Sequence, residues 1–306
     1  MSAIIFPGQG SQYKDMAMDF NENFVISRNI FEQIEDSINV NIRKIISENQ
    51  EDKINKTNYT QIAIFSASIV IYKTLINEIG VKNINPEIVL GHSLGEYTAL
   101  VANNSLNITD ASNLINQRGK IMNSAIEPNI SGMAAIIGKN SLFIEEIIKK
   151  NNLNIEIAND NSPIQVVVSG LIEDINLSRE IFEAEGVKRF VKLNVSAAFH
   201  SKYMFQAQEI LNDEIDKISF SHSKIPIISN YTALINSDII DIINSLKKQM
   251  ANKVKWTDSI NKLEETKIYE IIEIGPGKVL SGLISRITKK FDIISIEKIN
   301  DLEKFS

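Results

Sequence analysis

Hydrophobic residues along the chain keep two rhythms, and the points where one gives way to the other mark its organisation. Ala3 to Phe6 is a short unbroken apolar run that predicts a buried strand, and it stops at the turn-forming "PGQGSQ". From Asn29 to Ile46 the apolar positions Ile30, Ile34, Ile38, Ile42 and Ile45 recur at helical spacing, which predicts one continuous helix. Thr60 to Ile79 is apolar nearly all round, the pattern of a helix buried within a large domain. Ile88 to Leu90 then supplies a strand that runs straight into Gly91-His92-Ser93.

The middle of the chain changes character. Residues 133–138, 141–150, 155–159, 165–170, 172–186 and 188–194 read in turn as strand, helix, strand, strand, helix and strand, which is the order of the ferredoxin-like motif. "RFVKLNV" alternates polar and apolar, as a strand with one wet face requires. From Ile225 the earlier pattern resumes with "IPIIS", a helix from Ser237 to Met250, "IYEIIEIG" and a last helix after Gly277. The expected architecture is an α/β core, residues 1–130 and 196–306, interrupted by a ferredoxin-like α+β subdomain at residues 131–195. A ligand is expected in the crevice between the two.

Composition narrows the function classes. With 306 residues, 43% of them hydrophobic, the chain can fill a substantial core. Its net charge of −6 argues against nucleic acid as the main partner, because phosphates call for a concentrated basic surface. There is no cysteine, which excludes disulfides, thiolate catalysis and cysteine zinc sites, and neither a metal nor a bound cofactor is expected. "MSAIIFPGQG" has no basic segment and its apolar run is broken by Pro7, so no targeting segment is expected. The longest apolar stretch, from Ile62, contains Ser66, Ser68 and Lys73 and reads as too short to cross a bilayer. A cytoplasmic monomer with no membrane partner is the expectation.

"IVLGHSLGEYTALVAN" is the first stretch that points to chemistry. It supplies the strand, sharp turn and helix of a nucleophile elbow, with glycines flanking Ser93 where a β-carbon would clash. The helix N-terminus adds free N–H groups and a dipole beside the hydroxyl. Such a serine needs a base, and there are only three histidines. His92 directly precedes Ser93 and its side chain should leave the turn in another direction. His222, in "SFSHSKIP", reads as part of a polar surface loop. His200 follows the last ferredoxin-like strand, where the chain returns to the core and can face the crevice, and it is the best candidate by position. Arg118 falls on the same helical stripe as Leu114, Ile115, Ile121 and Met122, so its guanidinium points inward and must find an anion. Either a structural Asp or Glu or a carboxylate on a substrate would serve. "PGQGSQ" lacks the endings of both nucleotide-binding glycine loops, but it can offer an exposed backbone N–H.

Taken together, the segments "FPGQGSQ", "GHSLGEYTAL", "QRGKIM", "MAAIIG", "NSPIQVVVSG", "AAFHSKYM", "VKWTDS" and "EIGPGKVLSGL" resemble, in order, those of the malonyl-CoA:acyl carrier protein transacylase family over nearly the whole chain. The resemblance implies an α/β-hydrolase-like core with a ferredoxin-like insert. It implies that Ser93 is acylated from malonyl-CoA, that His200 is general base and acid, and that Arg118 holds the malonyl carboxylate. The backbone N–H groups of Gln9 and Leu94 would form the oxyanion hole, and the backbone carbonyl of Gln249 would orient the imidazole. The acceptor would be the phosphopantetheine thiol of a holo acyl carrier protein or of a polyketide synthase carrier domain, in a ping-pong transfer. Phe199 looks like the malonyl-selecting pattern. Gln61-Ile62-Ala63 and Asn252-Lys253-Val254 depart from the family's Gln-Pro-Ala and Asn-Pro-Val, at positions expected to touch no catalytic group. The chain looks nearest to discrete acyltransferases that serve polyketide synthases, although fatty-acid enzymes share the same catalytic residues. Rival readings are an acyl hydrolase that clears carrier proteins, against which Arg118 speaks, and a non-catalytic carrier-binding subunit. Lys188, Arg189, Lys192 and Lys202 are a candidate patch for an acidic carrier, or simply a solvated surface.

Overall fold

Among the described residues, 1–305 of a computed structural model, ten strands form two sheets. In chain order they are β1 (Ser2–Phe6), β2 (Pro86–Gly91), β3 (Ser131–Ile137), β4 (Ile155–Ser162), β5 (Gln165–Leu171), β6 (Arg189–Lys192), β7 (Ile227–Ile228), β8 (Ile235–Asn236), β9 (Glu270–Ile274) and β10 (Asp292–Ile296).

The larger sheet has the order β10-β9-β1-β2-β7-β8, parallel except for β8, which runs antiparallel to β7. Every residue of β1 is buried, as expected of a parallel strand covered on both faces by helices. The register sets Phe6 beside Gly91, Leu90 beside Ile228 and Ile5 beside Glu273. The loops after β1, β2, β7 and β9 therefore leave the sheet along one edge, the carboxyl ends of the strands, where open α/β sheets bind their ligands.

The longest helix of the crossover from β1 to β2 runs Thr57–Ile79, 23 residues, and is buried along most of its length. That corrects the argument from length: the helix is long and apolar enough to cross a membrane, but it is packed among the core side chains. The single helix expected over residues 29–46 is also corrected. Helices Val25–Ile38 and Ile42–Glu48 are separated by Asn39, which turns left-handed at φ 52°, and by Asn41, whose Oδ1 accepts from the Lys44 N–H at 2.8 Å. Both devices suit asparagine, and the isoleucine period runs on across the break because each short helix buries its own isoleucines.

The smaller sheet is antiparallel, in the order β4-β5-β3-β6. Alternation along β3 divides its two faces. Ala134 and Ile136 pack with Ile144, Ile147, Ile175 and Phe182 of helices Ser141–Lys150 and Ile172–Ala184, whereas Met133 and Ala135 join the main core cluster. The edge strand β4 fastens this sheet to the larger body. Its Asp160 N–H donates to the Val254 carbonyl at 3.0 Å, and the Asp160 carboxylate accepts from Ser141 Oγ at 2.5 Å and from Thr257 Oγ1 at 2.7 Å.

Candidate active site

A cavity of about 460 Å³ lies between the two sheets, over the carboxyl ends of β1 and β2. Gln9, Ser93, Leu94, Arg118, Phe199 and His200 all line it. Gln249 stands just behind the wall, 1% exposed, at the end of helix Ile239–Gln249.

Ser93 caps helix Leu94–Ala102 with φ 51° and ψ −104°, a strained backbone for any residue with a β-carbon. The strain is enforced by close packing around the turn. A β-carbon at Gly91 would lie 2.0 Å from the Gly95 carbonyl carbon, one at Gly95 would lie 2.0 Å from the Phe6 carbonyl oxygen, and one at Gly8 would lie 2.4 Å from the His92 carbonyl oxygen. Glycine at these positions lets β1, β2 and the following helix meet backbone to backbone. Asn230, immediately beyond β7, locks the turn from the side: its Oδ1 accepts from the Ser93 N–H at 2.6 Å and its Nδ2 donates to the Gly91 carbonyl at 2.6 Å.

The Ser93 hydroxyl sits 2.8 Å from Nε2 of His200. Nδ1 of that ring faces two carbonyl oxygens, Gln249 at 3.0 Å and Asn252 at 3.2 Å, so Nδ1 carries the proton and Nε2 presents its lone pair to the serine. Burial, with the Arg118 cation nearby, pushes the imidazole down to about 3, which keeps it a neutral base. The segment that carries His200 has no regular structure and is pinned from several sides. Ala198 N–H donates to Ser131 Oγ at 3.0 Å, Ser169 Oγ donates to the Phe199 carbonyl at 2.6 Å, and His200 N–H donates to the Met250 carbonyl at 3.1 Å. Ser131 and Ser169 belong to the smaller sheet and Met250 to the larger body, so the base is held by both.

Arg118, on helix Ile108–Ser124, is 1% exposed. Its guanidinium donates to Gln61 Oε1 at 2.5 Å, to Ser93 Oγ at 3.0 Å and to Gln249 Oε1 at 3.0 Å, and to no carboxylate among the described residues. Nε is buried without a partner, and the guanidinium carbon lies 5.1 Å from the centre of the Tyr97 ring. Burial lowers its pKa, partly offset by Tyr97 and Glu96. Of the two anions weighed from the sequence, the structural carboxylate in direct contact is absent among the described residues. The cation faces the cavity with donor capacity to spare.

No protein acceptor engages the backbone N–H groups of Gln9 and Leu94 among the described residues, and both residues border the cavity beside Ser93. The two histidines set aside from the sequence lie elsewhere: His92 Nε2 pairs with Asn161 Oδ1 at 2.8 Å, and His222 is exposed. In two places the sequence expectation is corrected. Gln61 and Asn252, taken as remote from the chemistry, touch Arg118 and His200 directly, the second through its backbone carbonyl. The candidate basic patch is not one surface of free cations, since Lys202 Nζ is held by Asn154 at 2.6 Å. Arg189 and Lys192 lie exposed on edge strand β6, with Lys188 just before it, where charge blocks strand pairing.

A serine hydroxyl held against a neutral imidazole, beside two free backbone amides at a strand-to-helix turn, is the arrangement of an enzyme that forms and breaks acyl bonds through serine. Residues 3–300 match the acyl transferase domain family, and the chain belongs to that family; it is an acyltransferase. It is 33% identical over 305 residues to the malonyl CoA-acyl carrier protein transacylase of Bacillus subtilis, covering 98% of this chain and 95% of that protein. It is 36% identical over 290 residues to the polyketide biosynthesis malonyl CoA-acyl carrier protein transacylase BaeC of Bacillus velezensis, covering 94% of this chain and 96% of that one. Among solved structures, a malonyl CoA-acyl carrier protein transacylase from Clostridium perfringens superposes with a TM-score of 0.92 at 34% identity, covering 99% of this chain and 95% of that one.

Proposed function

We propose that the protein is a malonyl-CoA:acyl carrier protein S-malonyltransferase that supplies extender units for polyketide or fatty-acid synthesis. The observation that carries this reading is Arg118: a buried guanidinium without a carboxylate partner among the described residues, 3.0 Å from the Ser93 hydroxyl and open to the cavity. A donor with a terminal carboxylate completes that site, and a neutral acyl chain leaves the cation unanswered. The names borne by relatives from Bacillus subtilis and Bacillus velezensis support the same substrate and acceptor.

The proposed reaction begins when Ser93 Oγ attacks the thioester carbonyl as His200 Nε2 takes its proton. The backbone N–H groups of Gln9 and Leu94 donate to the tetrahedral oxyanion, and the carbonyls of Gln249 and Asn252 hold the Nδ1–H side of the imidazolium. Collapse breaks the carbon–sulfur bond, and His200 returns its proton to the departing CoA thiolate. The phosphopantetheine thiol of a holo carrier protein then gives its proton to His200 and attacks the malonyl ester. Ser93 leaves and recovers that proton. Phe199, 5% exposed on the cavity wall, bounds the space beside the acyl group. In this reading residues 1–130 and 196–306 are an α/β-hydrolase-like core and residues 131–195 a ferredoxin-like insert; the strand order β4-β5-β3-β6 supports the second label.

Initial rates with malonyl-CoA and a holo carrier protein varied against each other test the proposal. Parallel double-reciprocal lines are expected, and intersecting lines would refute the covalent relay.

A further inference from the structure

Glu96 takes no part in the scheme above, yet it lies one turn past Ser93 on helix Leu94–Ala102 and is 1% exposed. Its carboxylate accepts from the side-chain Nε2 of Gln249 at 2.7 Å and from the Asn230 N–H at 3.3 Å. Burial pushes its pKa up to about 7, opposed by these hydrogen bonds and by the nearby Arg118 cation.

The Gln249 side chain joins three parts of the site. Nε2 donates to Glu96 and to the Ser93 carbonyl at 2.8 Å, and Oε1 accepts from Arg118 Nη2 at 3.0 Å. The two ends of a primary amide are nearly alike in shape, so its orientation is decided by its partners. Turned over, it would set its oxygen against the carboxylate and the Ser93 carbonyl, and its NH₂ against the guanidinium. Ionised Glu96, which only accepts, opposes that arrangement together with the Ser93 carbonyl and the Arg118 donor. A glutamate in direct contact with Arg118 would fill the place that a substrate carboxylate must take. With the amide between them, the glutamate fixes the guanidinium and leaves its outer face free.

We infer that Glu96 is a positioning residue for donor selection, which holds Arg118 in its carboxylate-accepting pose through the side-chain amide of Gln249. The inference rests on the malonyl-transfer reading and deepens it.

The test uses the full-length enzyme and measures Ser93 loading from malonyl-CoA and from acetyl-CoA, each with separate KM and kcat, for the wild type, Glu96→Met and Glu96→Gln. In Glu96→Met the amide loses its anchor. The malonyl-CoA KM should rise on the order of tenfold, the worth of a hydrogen bond to a charged group, with acetyl loading within about threefold of the wild type. Glu96→Gln can still accept from Gln249 and should restore most of the malonyl preference. If Glu96→Met does not fold, Glu96→Asp carries the same expectation, because the shorter side chain draws the acceptor away from Gln249. Equal losses with both donors, unchanged kinetics with both, or a Glu96→Gln variant as impaired as Glu96→Met would each overturn the inference. A wild-type enzyme that does not load malonyl groups at all would instead overturn the parent reading.

Discussion

Replacing Arg118 with alanine separates two jobs that the guanidinium does at once. Its contact with Ser93 Oγ at 3.0 Å and its bonds to Gln61 and Gln249 help to order the site whatever the donor. In Arg118→Ala those two amide oxygens lose a charged donor, a cost of about 1–3 kcal/mol each that falls alike on malonyl and acetyl transfer. Only the malonyl donor also loses a partner for its own carboxylate. Leaving one member of a buried charge pair unanswered costs about 3–5 kcal/mol, and each ~1.4 kcal/mol is a factor of ten in rate. The ratio of kcat/KM for malonyl-CoA to that for acetyl-CoA should therefore fall by roughly two to three and a half orders of magnitude, however far both values fall together. Arg118→Lys should recover part of the ratio, since an ammonium keeps the charge but not the fork of two parallel donors. Single-turnover loading of each donor, read by rapid quench and mass, measures the ratio directly. A ratio within threefold of the wild type would show that the buried cation does not read the carboxylate.

The elbow, its brace and its base carry further predictions. Gly95→Ala places a β-carbon 2.0 Å from the Phe6 carbonyl oxygen, so the turn must shift. The variant should lose about 1–3 kcal/mol of stability in a denaturant titration, together with nearly all loading. Asn230→Ala removes both bonds that clamp the turn and should lower kcat for malonyl and acetyl donors to the same extent, with little change in KM. With His200 held near 3, loading from acetyl-CoA should keep its rate from pH 7 to pH 5, where an ordinary imidazole near 6.5 would already be protonated. An acid limb centred near 6.5 would contradict the buried neutral base. The linked stability has a definite sign: below about 6.5 the unfolded chain binds a proton that the folded chain refuses. The wild type should therefore lose stability relative to His200→Gln as pH falls from about 6.5 towards 3, measured by paired denaturant titrations.

Much of the architecture could be read from the sequence because it rests on local rhythm. The strand-to-helix turn at Ser93, the four strands of the smaller sheet and the two helices packed on it are marked by period changes and by glycines, and they lie where those marks put them. Sheet order is different: β1 is flanked by β2 and β9, strands far apart in the chain, and nothing local announces that neighbour. Nor does periodicity reveal a break such as Asn39, where the apolar spacing continues while the backbone turns.

The candidate site divides along similar lines. Ser93, His200 and Arg118 have distinctive side chains, and each drew attention by its setting before the fold brought them within 3.0 Å of one hydroxyl. The parts that escaped notice act through backbone atoms or second-row contacts. The Asn252 carbonyl serves His200 whatever side chain residue 252 carries, so the sequence has no way to display it. Gln61 did leave a trace, as a polar residue on a helix that is otherwise apolar nearly all round. Asn230 could have been found from its place just after a strand of the parallel sheet, at the edge where such sheets build their sites.

The central claim is that an acyl group passes through Ser93 on its way to a carrier thiol. Intact-protein mass spectrometry after mixing with malonyl-CoA, followed by addition of a holo carrier protein, tests it most directly. The enzyme should gain one malonyl group, lose it to the carrier, and gain none in Ser93→Ala. Return to the unmodified mass with free malonate and an unloaded carrier would make the protein a hydrolase, and loading that survives Ser93→Ala would contradict the account at its root.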